Sequence, residues 1–370
     1  MLDYKGELKE KPERKFIVSQ VLILDQIANC SDIMRRACEG GFSSHRIFAI
    51  KTADDKKSTL KPQDLAEIWG IVLETARRTI RVTTQLCIRD NDNISLNRRY
   101  AANDRMLRYR HLHTPIFMDT MYASRKAGKS HRGFTCAQVF ASEFGWVRVQ
   151  LMRSEKEVHL SLKSLFKDVG VSHPLIADGA RAQIEGKARI LCEESGCKTI
   201  ELEKNAPASN RAERYIQTLK NGSKKDMIHA NCPLIMWDFC IERRAGIECV
   251  IAKENHLLQG STPHSMMTGE MTDILHICKF KWYEWVKSRK PGELYPYPTE
   301  WLGRCLGPAR NKGNAMSQHV LIEQGEVIPI QTCRKLTKSE VENPIEVERR
   351  KKMDTYILKR YGDAKSVPEN

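Results

Sequence analysis

No cysteine pair in this sequence is spaced C-x-x-C, no H-x3-H pair is completed by cysteines, and no apolar run is long. The first two absences argue against a zinc knuckle. Twelve cysteines scattered without pattern also argue against a disulfide framework, so reduced and mostly buried thiols are expected. The longest mainly apolar stretch, FIVSQVLIL, falls short of the roughly 20 residues that cross a bilayer. The N-terminal MLDYKGELKEKPERK is charged, unlike a secretory leader. These features predict an intracellular soluble protein without a membrane partner.

Acidic residues are scarce locally rather than everywhere. Residues 1–55 hold nine basic and nine acidic side chains, whereas 77–132 hold thirteen basic and four acidic ones, within a chain of net charge +15. A local basic band suits a polyanion such as nucleic acid, although a solvated lysine-rich surface carries the same charge. What the sequence does have is length and apolar content: 370 residues at 41% hydrophobic are enough for two or three domains with a substantial core.

Residues 1–59 carry no chemical motif and have no assigned role. From 60 to 85, Ala66 and Gly70 stand four apart, and apolar positions then recur through Leu73, Ala76 and Ile80. This is the pattern of a helix-turn-helix, in which Arg77 and Arg78 would face DNA phosphates; a plain helical hairpin packed on a neighbour fits equally. The segment 60–111 is read as this unit plus a basic linker.

From 114 the pattern turns to short apolar strands, TPIFMDTMY, GFTCAQVFA and WVRVQLM, close enough for a meander. A helix over SEKEVHLSLKSLFKDVG, a strand HPLIAD, a helix ARAQIEGKARILCEESG, a strand CKTIELE and a helix opening in NAPASNRAERYIQTLK come next. The order βββαβαβα predicts an α/β domain with a mixed five-stranded sheet flanked by helices, over about 112–260. A helix over about 233–254 would close it. Residues 261–335, with the aromatic cluster FKWYEWV and strands at GRCLGPA, QHVLIEQ and EVIPIQTCRKL around a turn NKGN, read as a small β domain. The charged tail 336–370 reads as a frayed helix or a linker.

Three acids fall where this topology converges: Asp119 inside the first strand, Asp178 at the end of the fourth, and Glu213 early in the helix after the fifth. An aspartate within IFMDTMY is disfavoured in a strand and costly to bury unless paired or bound to a cation. Asp178 in LIADGA stands at the carboxyl edge of the sheet, where α/β folds bind ligands. Converging carboxylates suit hard divalent ions such as Mg²⁺ or Mn²⁺, and two such ions serve in-line phosphoryl transfer. The spacing Asp-x58-Asp-x34-Glu is weak by itself; its placement on strand interior, strand end and helix start is what selects it. The competing structural reading makes Asp178 a turn former and Glu213 a first-turn dipole partner, but it leaves Asp119 unexplained.

The stretch 110–225, with FMDTMY, LIADGA and NRAERYIQTLK, resembles the core of a retroelement integrase. The blocks TPHSMMTGEMTDI, FKWYEWV and WLGRCLGPARNKGNAMSQHVLIEQGEVI resemble the region downstream of that core in Copia-type LTR retrotransposon polyproteins, especially those of diatoms and other algae. The resemblance implies an RNase H-like fold, with Asp119, Asp178 and Glu213 as a metal-binding catalytic triad using two Mg²⁺ or Mn²⁺ ions. The implied reaction is 3′-end processing and strand transfer of element DNA into host DNA. Double-stranded DNA as partner, a homo-oligomer, chromatin contacts and a nuclear location are implied by the same likeness. One departure stands out: nothing before Asp119 supplies the His-His-Cys-Cys zinc ligands usual in such enzymes, and no zinc site is evident. A transposase or nuclease of the same fold, or a non-catalytic DNA-binding remnant, are the rival readings.

On the Glu213 helix, Gln217 at i+4 and Lys220 at i+7 share a stripe with the acid, and Arg214, Lys224 and Lys225 extend the basic surface expected to meet DNA. Ser209 and Asn210 sit where a helix cap is expected, and a contact from Asn210 to DNA is the secondary reading. His113 and His173 read as surface or capping residues rather than partners of the acids. Trp282, Tyr283 and Trp285 read as β-domain core or docking face rather than a base-stacking platform. Residues 279–312 hold eight basic and three acidic side chains, enough for added phosphate affinity. ERRKK at 348–352 reads as a solvated helix face more than a nuclear-import signal.

Overall fold

A computed structural model describes residues 60–86, 111–124, 128–178, 180–202, 210–289, 296, 300–310 and 316–362. Residues 1–59, most of the basic linker, Ser209 and the NKGN turn lie outside this set.

The described chain opens with a helical hairpin, α1 (Pro62–Trp69) and α2 (Leu73–Val82). Proline at the first position of α1 and the Asp64 carboxylate, which accepts from the Lys61 N–H at 3.3 Å, start the helix. Gly70, at φ 63°, ends it in the left-handed conformation that glycine adopts without strain. Leu65 and Trp69 are fully buried, and the Trp69 indole N–H donates to the Ile277 carbonyl at 3.3 Å. The hairpin therefore packs on the rest of the protein, one of the two arrangements its pattern allowed.

The α/β domain comprises β1 (His111–Leu112), β2 (Ile116–Tyr122), β3 (Cys136–Ser142), β4 (Val147–Met152), α3 (Val158–Asp168), β5 (Val171–Ser172), β6 (Leu175–Ala177), α4 (Arg181–Ile184), α5 (Gly186–Glu194), β7 (Thr199–Glu201), α6 (Arg211–His229) and α7 (Trp237–Val250). Its main sheet has the order β4-β3-β2-β6-β7, with β2 central, antiparallel to β3 and parallel to β6. Three antiparallel strands and then two parallel ones, with helices between them, is the RNase H-like arrangement. The expected fold class holds. The details differ in two places. The strand expected over 173–178 is shortened to β6, and a separate two-residue strand, β5, precedes it and pairs with β1. The helix expected over 180–196 breaks into α4 and α5 next to Gly186, whose φ is 59°.

Past α7, the short helices α8 (Pro263–Thr268) and α9 (Leu275–Cys278) place Met267, Ile274, Ile277 and Cys278 in the same apolar cluster as the sheet and α1. The β domain is β8 (Trp285–Arg289), β9 (Glu300–Pro308), β10 (Gln318–Ile322), β11 (Val327–Ile330) and β12 (Cys333–Lys335), antiparallel throughout in the order β11-β10-β9-β8-β12. Four strands run as a meander and the fifth returns to pair with the first. Gly303 is needed here, because a Cβ would stand 2.4 Å from Val320 Cγ1 and 2.8 Å from the Leu321 carbonyl. Trp282 and Tyr283 are buried beside this sheet, and the Arg304 guanidinium lies 3.6 Å over the Trp285 ring. The aromatic cluster is therefore core, as expected.

The tail is not a frayed helix or linker. It forms α10 (Lys338–Glu342) and the 18-residue α11 (Pro344–Tyr361), started by Thr337 and Asn343 caps. Met353 and Ile357 are buried against the β domain, each worth about 1.5–3 kcal/mol over an exposed position. No helix among the described residues is long and apolar enough to cross a membrane.

Candidate active site

The central strand explains why Asp119 is where it is. Alternation along β2 puts Phe117, Asp119 and Met121 on one face and Met118, Thr120 and Tyr122 on the other. The first face lies under α6: the Arg211 guanidinium, at the first position of that helix, stands 5.8 Å over the Phe117 ring and donates to the Glu143 carbonyl at 3.0 Å. Asn210 caps α6, its Oδ1 accepting from the Ala212 N–H at 3.0 Å, so the capping reading accounts for that side chain. Glu213 then falls in the first turn, over the Asp119 side of the sheet.

Asp178 arrives by register. In the parallel pair of β2 and β6, Met118 stands opposite Ala177, and Asp119 and Asp178 are the next residue of each chain. Asp178, at the carboxyl end of β6, thus meets Asp119 in the middle of β2. Asp178 and Glu213 are exposed, whereas Asp119 is half-buried.

The electrostatics at Asp119 record this convergence. Burial is the largest cause holding its carboxyl above the ordinary aspartate range, and the negative charges of Asp178 and Glu213 push it further in the same direction. A hydrogen bond from the Thr120 N–H to Oδ1, 2.7 Å long, and the charge of Lys220 pull the other way. The structure brings the three acids and Lys220 into one field. It stops short of a ligand cage: among the described residues, no three His, Cys, Asp or Glu side chains are grouped tightly enough to hold a metal ion. Mutual repulsion of three carboxylates opposes closer grouping.

The remaining residues of the expected surface sort clearly. Arg214, Gln217, Lys220, Lys224 and Lys225 are exposed along α6, and Asn221, Lys224, Lys225, Ile228 and His229 line an open depression of about 380 Å³ on it. Arg77 and Arg78 are on the outer side of α2, but both pair with Glu74, at 3.6 and 3.4 Å, and Arg78 also with Glu254 at 2.8 Å. His113 and His173 are exposed.

Sequence reading missed three polar residues beside the acids. The Thr120 hydroxyl donates to Gln138 Oε1 at 2.9 Å and accepts from Gln183 Nε2 at 3.0 Å. Both glutamines are essentially fully buried. The signal was available in part: Gln138 in CAQVFA is as foreign to an apolar strand as Asp119 is in IFMDTMY.

No protein-family model matches the chain, and no curated protein matches it. Among solved structures it is similar to the simian T-cell lymphotropic virus intasome in complex with PP2A regulatory subunit B56 gamma, at 14% identity over 63% of this chain and 85% of that one, with a TM-score of 0.33. It is similar to the HTLV-2 integrase catalytic core domain in complex with magnesium, dimeric form, at 16% identity over 44% of this chain and 100% of that one, with a TM-score of 0.32. For the catalytic core domain of BIV integrase the identity is 17% over 41% of this chain and 92% of that one, with a TM-score of 0.28.

Proposed function

We propose that the protein is a retroelement integrase of the Copia type, a polynucleotidyl transferase whose Asp119, Asp178 and Glu213 hold Mg²⁺ or Mn²⁺. The observation that carries this reading is the field at Asp119: a half-buried strand carboxylate raised by burial and by two further carboxylates, with Lys220 as the nearby counter-charge. A protein gains nothing in stability from that arrangement. Three all-oxygen donors on a strand interior, a strand end and a helix start are the donor set a hard divalent cation takes. When bound, two such ions supply Lewis-acid stabilisation of the attacking and leaving oxygens of an in-line phosphoryl displacement.

The chain's own residues do the rest. The parallel register of β2 on β6 brings two acids side by side, and the Asn210 cap with the Arg211 bond to Glu143 fixes the turn that presents the third. Lys220, Gln217, Arg214, Lys224 and Lys225 give duplex DNA a basic and amide surface leading away from Glu213, and Arg77 and Arg78 are additional candidates. The finer parts of the reading are 3′-end processing and strand transfer of element DNA into host DNA, a homo-oligomeric assembly, chromatin contacts and a nuclear location. They rest on the sequence resemblance. The rival reading is a non-catalytic DNA-binding remnant.

Nicking and joining of duplex oligonucleotides in Mg²⁺ or Mn²⁺ test the proposal. Wild type is expected to join ends, and Asp119→Asn to lose about a thousandfold or more, some 4 kcal/mol of barrier. Unaltered joining by Asp119→Asn would sink the mechanism. A wild type that neither nicks nor joins, yet binds duplex with a steep salt dependence, is the remnant.

A further inference from the structure

We propose that Thr120, Gln138 and Gln183 form a positioning network, on the face of the sheet opposite the acids, that sets the spacing of Asp119 and Asp178 and thereby their affinity for a divalent cation. The proposal rests on the reading of those two acids as metal ligands.

Asp178 comes directly after the last residue of β6, so the sheet's hydrogen-bond ladder stops just as the acid is reached. Gln183 holds the segment beyond it. Its backbone N–H donates to the Ala180 carbonyl at 2.8 Å, and its side-chain Nε2 donates to Thr120 Oγ1 at 3.0 Å. Thr120 in turn holds Asp119, through the 2.7 Å bond from its own N–H to Oδ1. One residue is thus tied to the first acid by its backbone and to the segment after the second by its hydroxyl.

Gln138 gives the link a direction. It stands opposite Thr120 in the antiparallel ladder, and its Oε1 takes the single hydroxyl proton at 2.9 Å, leaving the oxygen's lone pairs for Gln183. The chain Gln183 to Thr120 to Gln138 is therefore polarised one way, and reversing any member breaks it. It lies with Met118 and Tyr122 on the face away from α6.

Its cost argues that stability is not what keeps it. Gln138 Nε2 and Gln183 Oε1 are buried without a hydrogen-bond partner among the described residues, a penalty that methionines of similar volume would avoid. Groups that orient metal ligands from behind typically change metal affinity by about 10–100-fold when removed.

The test is Mn²⁺ affinity of the full chain, by electron paramagnetic resonance of the free ion, together with the Mg²⁺ concentration giving half-maximal nicking. Gln183→Met and the near-isosteric Thr120→Val should each weaken Mn²⁺ binding about tenfold. Both should raise the half-maximal Mg²⁺ concentration while the rate at saturating Mg²⁺ changes little. Thr120→Ser, which keeps the hydroxyl, should bind like wild type. The double variant Thr120→Val/Gln183→Met should be no weaker than the worse single, because Thr120→Val already cuts the link that Gln183→Met removes. Wild-type Mn²⁺ affinity in a folded Gln183→Met or Thr120→Val overturns the network, as does a Thr120→Ser as weak as Thr120→Val. Asp119→Asn separates the two levels: if it binds Mn²⁺ like wild type, the metal reading itself fails, whereas loss in Asp119→Asn with none in Gln183→Met removes the network alone.

Discussion

The carboxyl edge of the α/β sheet and the β domain with its α10–α11 cover handle charge in opposite ways. In the β domain, acids and bases meet as pairs: Arg334 bonds both Glu300 and Glu340 at 2.8 Å, Lys287 reaches Glu340 and Glu346 at 2.9 and 3.2 Å, and Arg304 grips Asp354 at 2.7 Å. These partners hold the Glu340 carboxyl far below its ordinary range, the Arg334 hydrogen bond first among the causes. At the sheet edge, burial and like charge hold Asp119 above its range. Opposite directions for two carboxylates of one chain separate charge used as adhesive from charge kept for a task.

Breaking the comparison at its strongest point means removing an acid from the edge: Asp119→Asn is expected to abolish joining while Arg334→Ala leaves the chemistry intact, read by oligonucleotide joining. The next effect is on stability, where the α/β domain does pair a buried charge. Asp238 is fully buried, bonded at 2.7 Å by Arg132, which also meets Glu242 at 2.6 Å and lies 4.0 Å over the Phe239 ring. Arg132→Met strands that carboxylate and should cost about 3 kcal/mol in urea unfolding.

A smaller shift carries the opposite sign. Because the folded pKa of Asp119 is raised, its stability contribution is fully present below the unfolded aspartate pKa and lost as pH rises through the folded value. Asp119→Asn should therefore raise Tm by roughly a few degrees at pH 7 without divalent ions, and by nothing in acid below the ordinary aspartate range. A Tm gain independent of pH, in a pH series of thermal melts, would assign the effect to packing. Smallest is Arg334→Ala: its pairs are about 40% exposed on the Arg334 and Glu300 side chains, so a loss of about 1 kcal/mol or less is expected, fading in 1 M salt.

The elements that were legible in the sequence are the ones whose signal is local. The short apolar runs IFMDTMY and CAQVFAS, and the Asn210-Arg211-Ala212-Glu213 helix start, need only neighbours two to four residues away. The tail was misread because Met353, Ile357 and Tyr361, spaced i, i+4, i+8, are embedded among charges, and only the β domain supplies a surface for them to bury against. The packing of the α1–α2 hairpin was not legible because it rests on Trp69 bonding to Ile277, 208 residues away. Gln183 was invisible for the same reason: its partner Thr120 is 63 residues back.

The sequence by itself determined the order of strands and helices and singled out Asp119, because an acid inside an apolar run contradicts its surroundings whatever the fold. Only the tertiary structure decided that Asp178 and Glu213 share its field, that Lys220 opposes them, and that a threonine and two buried glutamines stand behind. The register of β2 on β6 and the seating of α6 are long-range packing outcomes, and the energy that selects them is spread over the whole apolar core rather than written at any one position.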